Sequence, residues 1–182
     1  MQLLYREIGL ADKRLGALGL YVDNNLYQNA LSLLSENAAV IVDIDFQVER
    51  HPRFSELLGG EMVRDLALYL EDHSSDQIEI DSIESLREFN NRDPDTRAPY
   101  GQALIDMMVE MNLTEEKLEQ LREELQDWGI QILDRLFFEN DIDILVGVNN
   151  HQASIAALAN YPALTIPMGY GENGRPIGLT LI

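Results

Sequence analysis

The sequence predicts an α/β protein with a mixed β-sheet covered by helices, and three observations carry that expectation. Short apolar runs rich in β-branched residues stand near both ends, long stretches with helical periodicity lie between them, and a Gly-rich turn separates the last two runs. A chain of 182 residues is long enough for one such domain, so residues 1–182 are read as a single α/β domain.

The elements follow in order. "LGALGLYV" (15–22) is an apolar run bounded by charge and by "DNN", which suits a buried strand. "NLYQNALSLLSEN" places Leu26, Ala30, Leu33 and Leu34 on one helical face, and "AAVIVDIDF" is β-branched. Residues 15–46 thus form a βαβ unit with the usual right-handed crossover.

Residues 52–139 read as a helical cover. Phe54, Leu57, Leu58, Val63, Leu66 and Leu70 repeat at helical spacing from Phe54 to His73, despite Gly59 and Gly60. Ser82 or Asp81 caps "SIESLREFNN", which ends at the loop "NRDPDTRAPYGQ". Thr114 then caps a helix running to about Glu139, with Glu115 and Glu116 in its first turn. Its stripe of Leu118, Leu121, Leu125, Trp128, Ile132 and Leu136 is read as a packing face within the domain rather than a coiled-coil seam. Residues 141–182 close the chain as strand, helix, strand and strand: "DIDILVGV", "HQASIAALAN", "PALTIPM" and "PIGLTLI".

Composition removes several classes of function. Thirteen Lys and Arg stand against 32 Asp and Glu, a formal charge of -19, and such a field repels phosphate backbones and anionic lipid. Nucleic acid and membrane are therefore not expected as partners. The absence of cysteine excludes disulfides, thiolate metal sites and a cysteine nucleophile, and fits a cytoplasmic setting. Residues 1–20 carry five charges and no continuous apolar h-region, so no signal peptide or membrane span is read there.

Several residue patterns suggest chemistry, and each has a structural alternative. Gly169, Gly171 and Gly174 satisfy G-x-G-x-x-G, but that motif needs a helix directly after it, and "RPIGLTLI" follows instead. A turn between strands is the better reading, and a nucleotide-binding domain rests on this loop alone. His51, His73 and His151 are scattered without ligand spacing. Asp43 with Asp45, and Asp141 with Asp143, each put two carboxylates on one strand face, where charges at a strand end are read in preference to a cation site. Ser74 and Ser75, beside His73 and Asp72, lack the flanking glycines of a nucleophile turn and read as a helix end. The only lysines are Lys13 and Lys117. No catalytic, cofactor-binding or metal-binding residue is assigned, and no cofactor is expected.

The closing stretch "DIDILVGVNNHQASIAALANYPALTIPMGYGENGRPIGLTLI" resembles the C-terminal part of the amidase signature family of amide hydrolases. Ala159, Pro162, Ala163, Pro167, Gly169, Gly174, Pro176, Gly178 and Leu179 match its pattern in order and spacing. Upstream, "GGEMVRDLALYLED" is similar to a cover helix of that family, and "SIESLREFNNRDPDTRAPYGQALI" to its Asn-containing helix and Tyr-Gly-Gln segment. Two positions depart. Asn160 stands where the family usually has Gly, and Asn is the next best residue for a left-handed helix cap. Val146, Gly147 and Val148 replace a Pro-Thr pair.

The resemblance implies the C-terminal portion of the amidase signature fold. It implies amide C–N hydrolysis for full-length relatives, by a Ser, cis-Ser, Lys triad whose serines sit in a Gly-Ser-Ser-Gly-Gly stretch. No such stretch occurs here, so no triad residue carries over and this chain alone is expected to be inactive. Both ends read as cut, and a small-molecule amide is expected as substrate only in a full-length context. The alternative expectation is a stand-alone, inactive binding module of the same fold. Exposed sheet edges would be its route to self-association.

Overall fold

The computed structural model describes residues 9–37, 39–47, 50–75, 77–111 and 113–182. Strands β1 (Arg14–Leu18), β2 (Val40–Ile44), β3 (Ile144–Val148), β4 (Leu164–Tyr170) and β5 (Pro176–Leu181) build one mixed sheet in the order β2-β1-β3-β5-β4. β1 is parallel to both β2 and β3, whereas β5 runs antiparallel to β3 and β4. The architecture is α/β. Helices α1 (Asn25–Glu36), α2 (Phe54–His73), α3 (Ile83–Asn91), α4 (Pro94–Arg97), α5 (Ala103–Val109), α6 (Glu115–Asn140) and α7 (Ala153–Leu158) complete it.

The described residues fall into two compact units. One, within Met1–Arg50 and Leu125–Ile182, holds the whole sheet. Its core gathers Leu15 and Leu18 of β1, Leu145 and Val146 of β3, Tyr27 and Leu31 of α1, Leu133 of α6 and Ile155 of α7. Each fully buried aliphatic side chain there contributes about 1.5–3 kcal/mol, so the weight of the core lies on the two central parallel strands.

The local chemistry explains the boundaries. Asn24 caps α1 by accepting from the Tyr27 N–H at 3.1 Å. α1 buries Tyr27 and Leu31, one turn apart, and leaves Leu33 61% exposed, so the packed face is turned from the one the leucine spacing suggests. The reason is polar: the Tyr27 hydroxyl finds two backbone partners inside the sheet. α7 ends at Asn160, whose φ of 56° is the left-handed cap that Asn tolerates in place of Gly. At the amino ends of β1 and β3 the Asp143 carboxylate accepts from the Arg14 N–H at 2.8 Å and from Lys13 Nζ at 3.2 Å.

The second unit, His51–Glu124, is helical. Gly59 and Gly60 each cost a helix interior about 1 kcal/mol, and their bare backbones admit close neighbours. A Cβ on Gly59 would lie 2.6 Å from Met111 Sδ, and one on Gly60 2.8 Å from Leu113 Cδ1. Ser82 caps α3 in a capping box with Ser85. The segment "NRDPDTRAPYGQ", read as loop, contains the single turn α4 with Pro94 at its start, where a missing N–H costs nothing. Thr114 Oγ1 accepts from the Lys117 N–H at 3.3 Å at the start of α6, which continues into the sheet-bearing unit.

Candidate functional site

The chain leaves β1 to one side to form β2, and β3 lies on the other side of β1. This makes the gap between the carboxyl ends of β1 and β3 a topological switch point, the place where open α/β sheets bind ligands. The paired register of the two strands ends at Ala17 and Val146. One residue later the Tyr27 hydroxyl stands between them, accepting from the Leu18 N–H at 2.9 Å and donating to the Val146 carbonyl at 2.8 Å. A side chain from α1 thus relays the next ladder bond and holds the strand ends apart.

Each strand end then supplies a loop. After β1 the chain makes a 3₁₀ turn, Gly19–Tyr21, which buries the Tyr21 ring edge-on against Tyr27 at 5.5 Å between centroids. After β3, Asn149 adopts φ 52° and ties its loop to β5. Its N–H donates to the Gly178 carbonyl at 2.8 Å, its Oδ1 accepts from the Gly178 N–H at 2.9 Å, and its carbonyl accepts from the Thr180 hydroxyl. The turn so fixed presents His151 and Gln152.

The two loops are joined at Tyr21. Its hydroxyl accepts from Gln152 Nε2 at 2.9 Å, lies 2.9 Å from His151 Nδ1 and 3.3 Å from Gln152 Oε1. Gln152 is only 5% exposed, and it fits because residue 147 is Gly: a Cβ there would overlap Gln152 Oε1. Burial pushes the Tyr21 phenol up from its ordinary value against the easing bond to Gln152, and pushes Tyr27 up to about 12. Both hydroxyls therefore keep their protons and act as donors. His151 is exposed.

Two cavities flank this unit's α1. One, about 580 Å³, is lined by Tyr27, Gln28, Leu31, Asp43 and Asp45 at the carboxyl ends of β1 and β2. The other, about 560 Å³, is an apolar groove between α1 and β4, with Leu26, Leu33, Ile166 and Met168 among its walls.

The residues singled out from sequence fall elsewhere. Gly169, Gly171 and Gly174 form the β4–β5 hairpin, closed by the Gly171 N–H to the Arg175 carbonyl at 2.8 Å, with a strand and not a helix after it. Asp141 pairs with Arg14 at 3.2 Å, and Asp143 is engaged as described, so this pair ties β1 to β3. His73 stacks on Tyr69 at 4.8 Å, and His51 Nδ1 accepts from the Arg53 N–H at 3.3 Å. Ser74 and Ser75 are exposed where α2 ends, the Ser74 N–H bonding the Leu70 carbonyl at 3.0 Å. Among the described residues no three His, Asp or Glu side chains gather to hold a metal ion. No helix among them is long and apolar enough to cross a membrane. Sequence reasoning passed over Tyr21, Tyr27 and Gln152; Tyr21 stands as a polar atom within the apolar run "LGALGLYV", and nothing in the sequence around Tyr27 or Gln152 marks them.

No family model and no curated protein matches the chain. Solved structures do. An amidase family protein from Bacillus anthracis str. Ames superposes with a TM-score of 0.77 at 25% identity, over 95% of this chain and 35% of its own. The native peptide amidase from Stenotrophomonas maltophilia gives 0.73 at 24% identity, over 95% and 39%. A peptide amidase in complex with the competitive inhibitor chymostatin gives 0.75 at 24%, over 95% and 40%. The chain spans about 35–40% of the length of the structures it matches. It is thus an α/β protein with the fold of amidase family proteins, over part of their length.

Proposed function

We propose that this chain is the non-catalytic C-terminal portion of an amidase-like hydrolase whose whole form cleaves an amide C–N bond. In that role it completes the sheet and walls the substrate cleft, in a cytoplasmic protein. One observation carries the reading: the fold matches over 95% of this chain but only 35–40% of the matched amidases, and the sequence holds no Gly-Ser-Ser-Gly-Gly stretch. The test is release of ammonia or amine from a panel of simple amides. No turnover is expected from the purified chain. Turnover that survives repeated purification and disappears in Ser74→Ala or Ser75→Ala overturns the proposal. Reading the DNA upstream of the Met1 codon supplies the complementary check: an in-frame Lys and Gly-Ser-Ser-Gly-Gly stretch would supply the missing triad.

A second reading, a stand-alone binding or interaction module, is favoured by the exposure of Leu164 and Ile166 on β4 beside the apolar groove. A promoter and stop codon directly upstream would select it.

A further inference from the structure

We infer that His151 is a hydrogen-bond donor, through Nε2–H, to the oxygen of an uncharged carboxamide bound at the carboxyl ends of β1 and β3. The inference deepens the proposed amidase reading by naming a residue of this chain that meets the amide.

It begins with the single proton of the Tyr21 hydroxyl. The Tyr21 oxygen already accepts from Gln152 Nε2 at 2.9 Å, so its own proton has two possible acceptors. His151 Nδ1 lies at 2.9 Å and Gln152 Oε1 at 3.3 Å, and the shorter contact takes it. A neutral imidazole that accepts at Nδ1 carries its proton on Nε2. Tyr21 therefore sets the tautomer of His151.

The rest of the network holds that choice. Gln152 cannot swing away, because it is buried over Gly147 and bonded to Tyr21. Asn149 pins the loop to β5 through three hydrogen bonds. The Tyr21 and His151 rings lie 5.7 Å apart between centroids, tilted by 33°, so the hydrogen bond at Nδ1 is accompanied by a ring contact. His151 is the one exposed member of this trio, so its Nε2–H is the donor that the trio can offer a ligand.

Such a donor takes a carbonyl or carboxylate oxygen. The formal charge of -19 opposes the approach of an anion, so an uncharged carboxamide is favoured over a carboxylate of the same shape.

The experiment is long-range ¹H–¹⁵N correlation of the histidine rings of the intact chain at neutral pH, followed by titration with benzamide and, separately, benzoate. The expected result is a His151 protonated at Nε2, whose signal shifts saturably with benzamide and less with benzoate, while His51 and His73 stay still. In Tyr21→Phe the benzamide affinity should fall about three- to tenfold, the effect of losing one orienting hydrogen bond. A proton on Nδ1, or a shift shared by all three histidines without saturation, overturns the inference. The tautomer and the titration of the parent chain need no variant and no turnover. Hydrolysis by this chain alone would end the non-catalytic reading and leave the His151 assignment standing, and a silent His151 would do the reverse.

Discussion

The hydroxyl of Tyr27 donates to the carbonyl of Val146 at 2.8 Å, joining α1 to β3 across the point where β1 and β3 cease to pair. It also accepts the Leu18 N–H at 2.9 Å, so one oxygen satisfies two buried backbone groups. Tyr27→Phe keeps the ring and strands both. Each buried group left unpaired costs about 1–3 kcal/mol, so a loss of about 2–6 kcal/mol is expected in urea denaturation. A loss below about 0.5 kcal/mol, the scatter of surface substitutions, would mean that the strand ends close up and pair directly.

Gly147→Ala tests the packing beneath the polar network. The added methyl would overlap Gln152 Oε1, and Gln152 is buried and bonded to Tyr21, so displacing its amide costs that hydrogen bond. Overpacking of this kind costs about 1–3 kcal/mol. The same variant should shift the His151 ring signals, since Gln152 and His151 share the Tyr21 hydroxyl. Destabilisation with unmoved His151 signals would separate the packing from the network.

Much of the fold was legible because periodicity and punctuation agree with it. The helix read from Thr114 to about Glu139 is α6, Glu115–Asn140, with Leu118, Leu121, Leu125 and Leu136 buried within the protein as a packing face requires. Ser82 and Asn160 do at α3 and α7 what their side chains predict. The candidate site was not legible, and the run "LGALGLYV" shows why. Its apolarity suggests strand through Val22, yet β1 stops at Leu18 and Tyr21 sits on a 3₁₀ turn. The strand ends where a tyrosine from α1 intercepts its ladder, a contact between residues far from Val146 in sequence that no local pattern carries. For the same reason the buried face of α1 is rotated from the one the spacing of Leu26, Ala30, Leu33 and Leu34 suggests: Ala30 and Leu34 do pack against the core, but the partners of one hydroxyl centre it on Tyr27 and Leu31 and leave Leu33 exposed.

Asp143 makes stability depend on pH in acid. The Arg14 N–H, then Lys13, hold its carboxyl below the ordinary carboxylate value. A carboxyl with a depressed folded pKa binds more protons in the unfolded chain, so its contribution is present above the unfolded value near 3.8 and is lost as pH falls through the folded value. Asp143→Asn keeps an acceptor for Arg14 and removes the titration. Urea midpoints measured from neutral pH downward should fall less steeply below about pH 4 in the variant than in the parent chain. Parallel profiles would place the acid sensitivity on other carboxylates.

The open sheet edges make opposite predictions for β4 and β2. β4 exposes Leu164 at 59% and Ile166 at 39%, but Pro167 has no N–H to offer and a register shift follows it, two features that protect an edge. β2, Val40–Ile44, is the other edge, and its sequence VIVDI has no proline. Any self-association should therefore run through β2 and be suppressed by substitution of its exposed residue, Val40→Lys, with Ile166→Lys having the smaller effect. The charge of -19 keeps copies apart when screening is weak. Association should strengthen as salt rises from about 0.02 M to about 0.5 M and the screening length shrinks to a few ångströms. Sedimentation velocity across that range decides it: a mass that grows with salt and is restored to the monomer by Val40→Lys supports the β2 edge. Restoration by Ile166→Lys alone would move the contact to β4 and the apolar groove beside it.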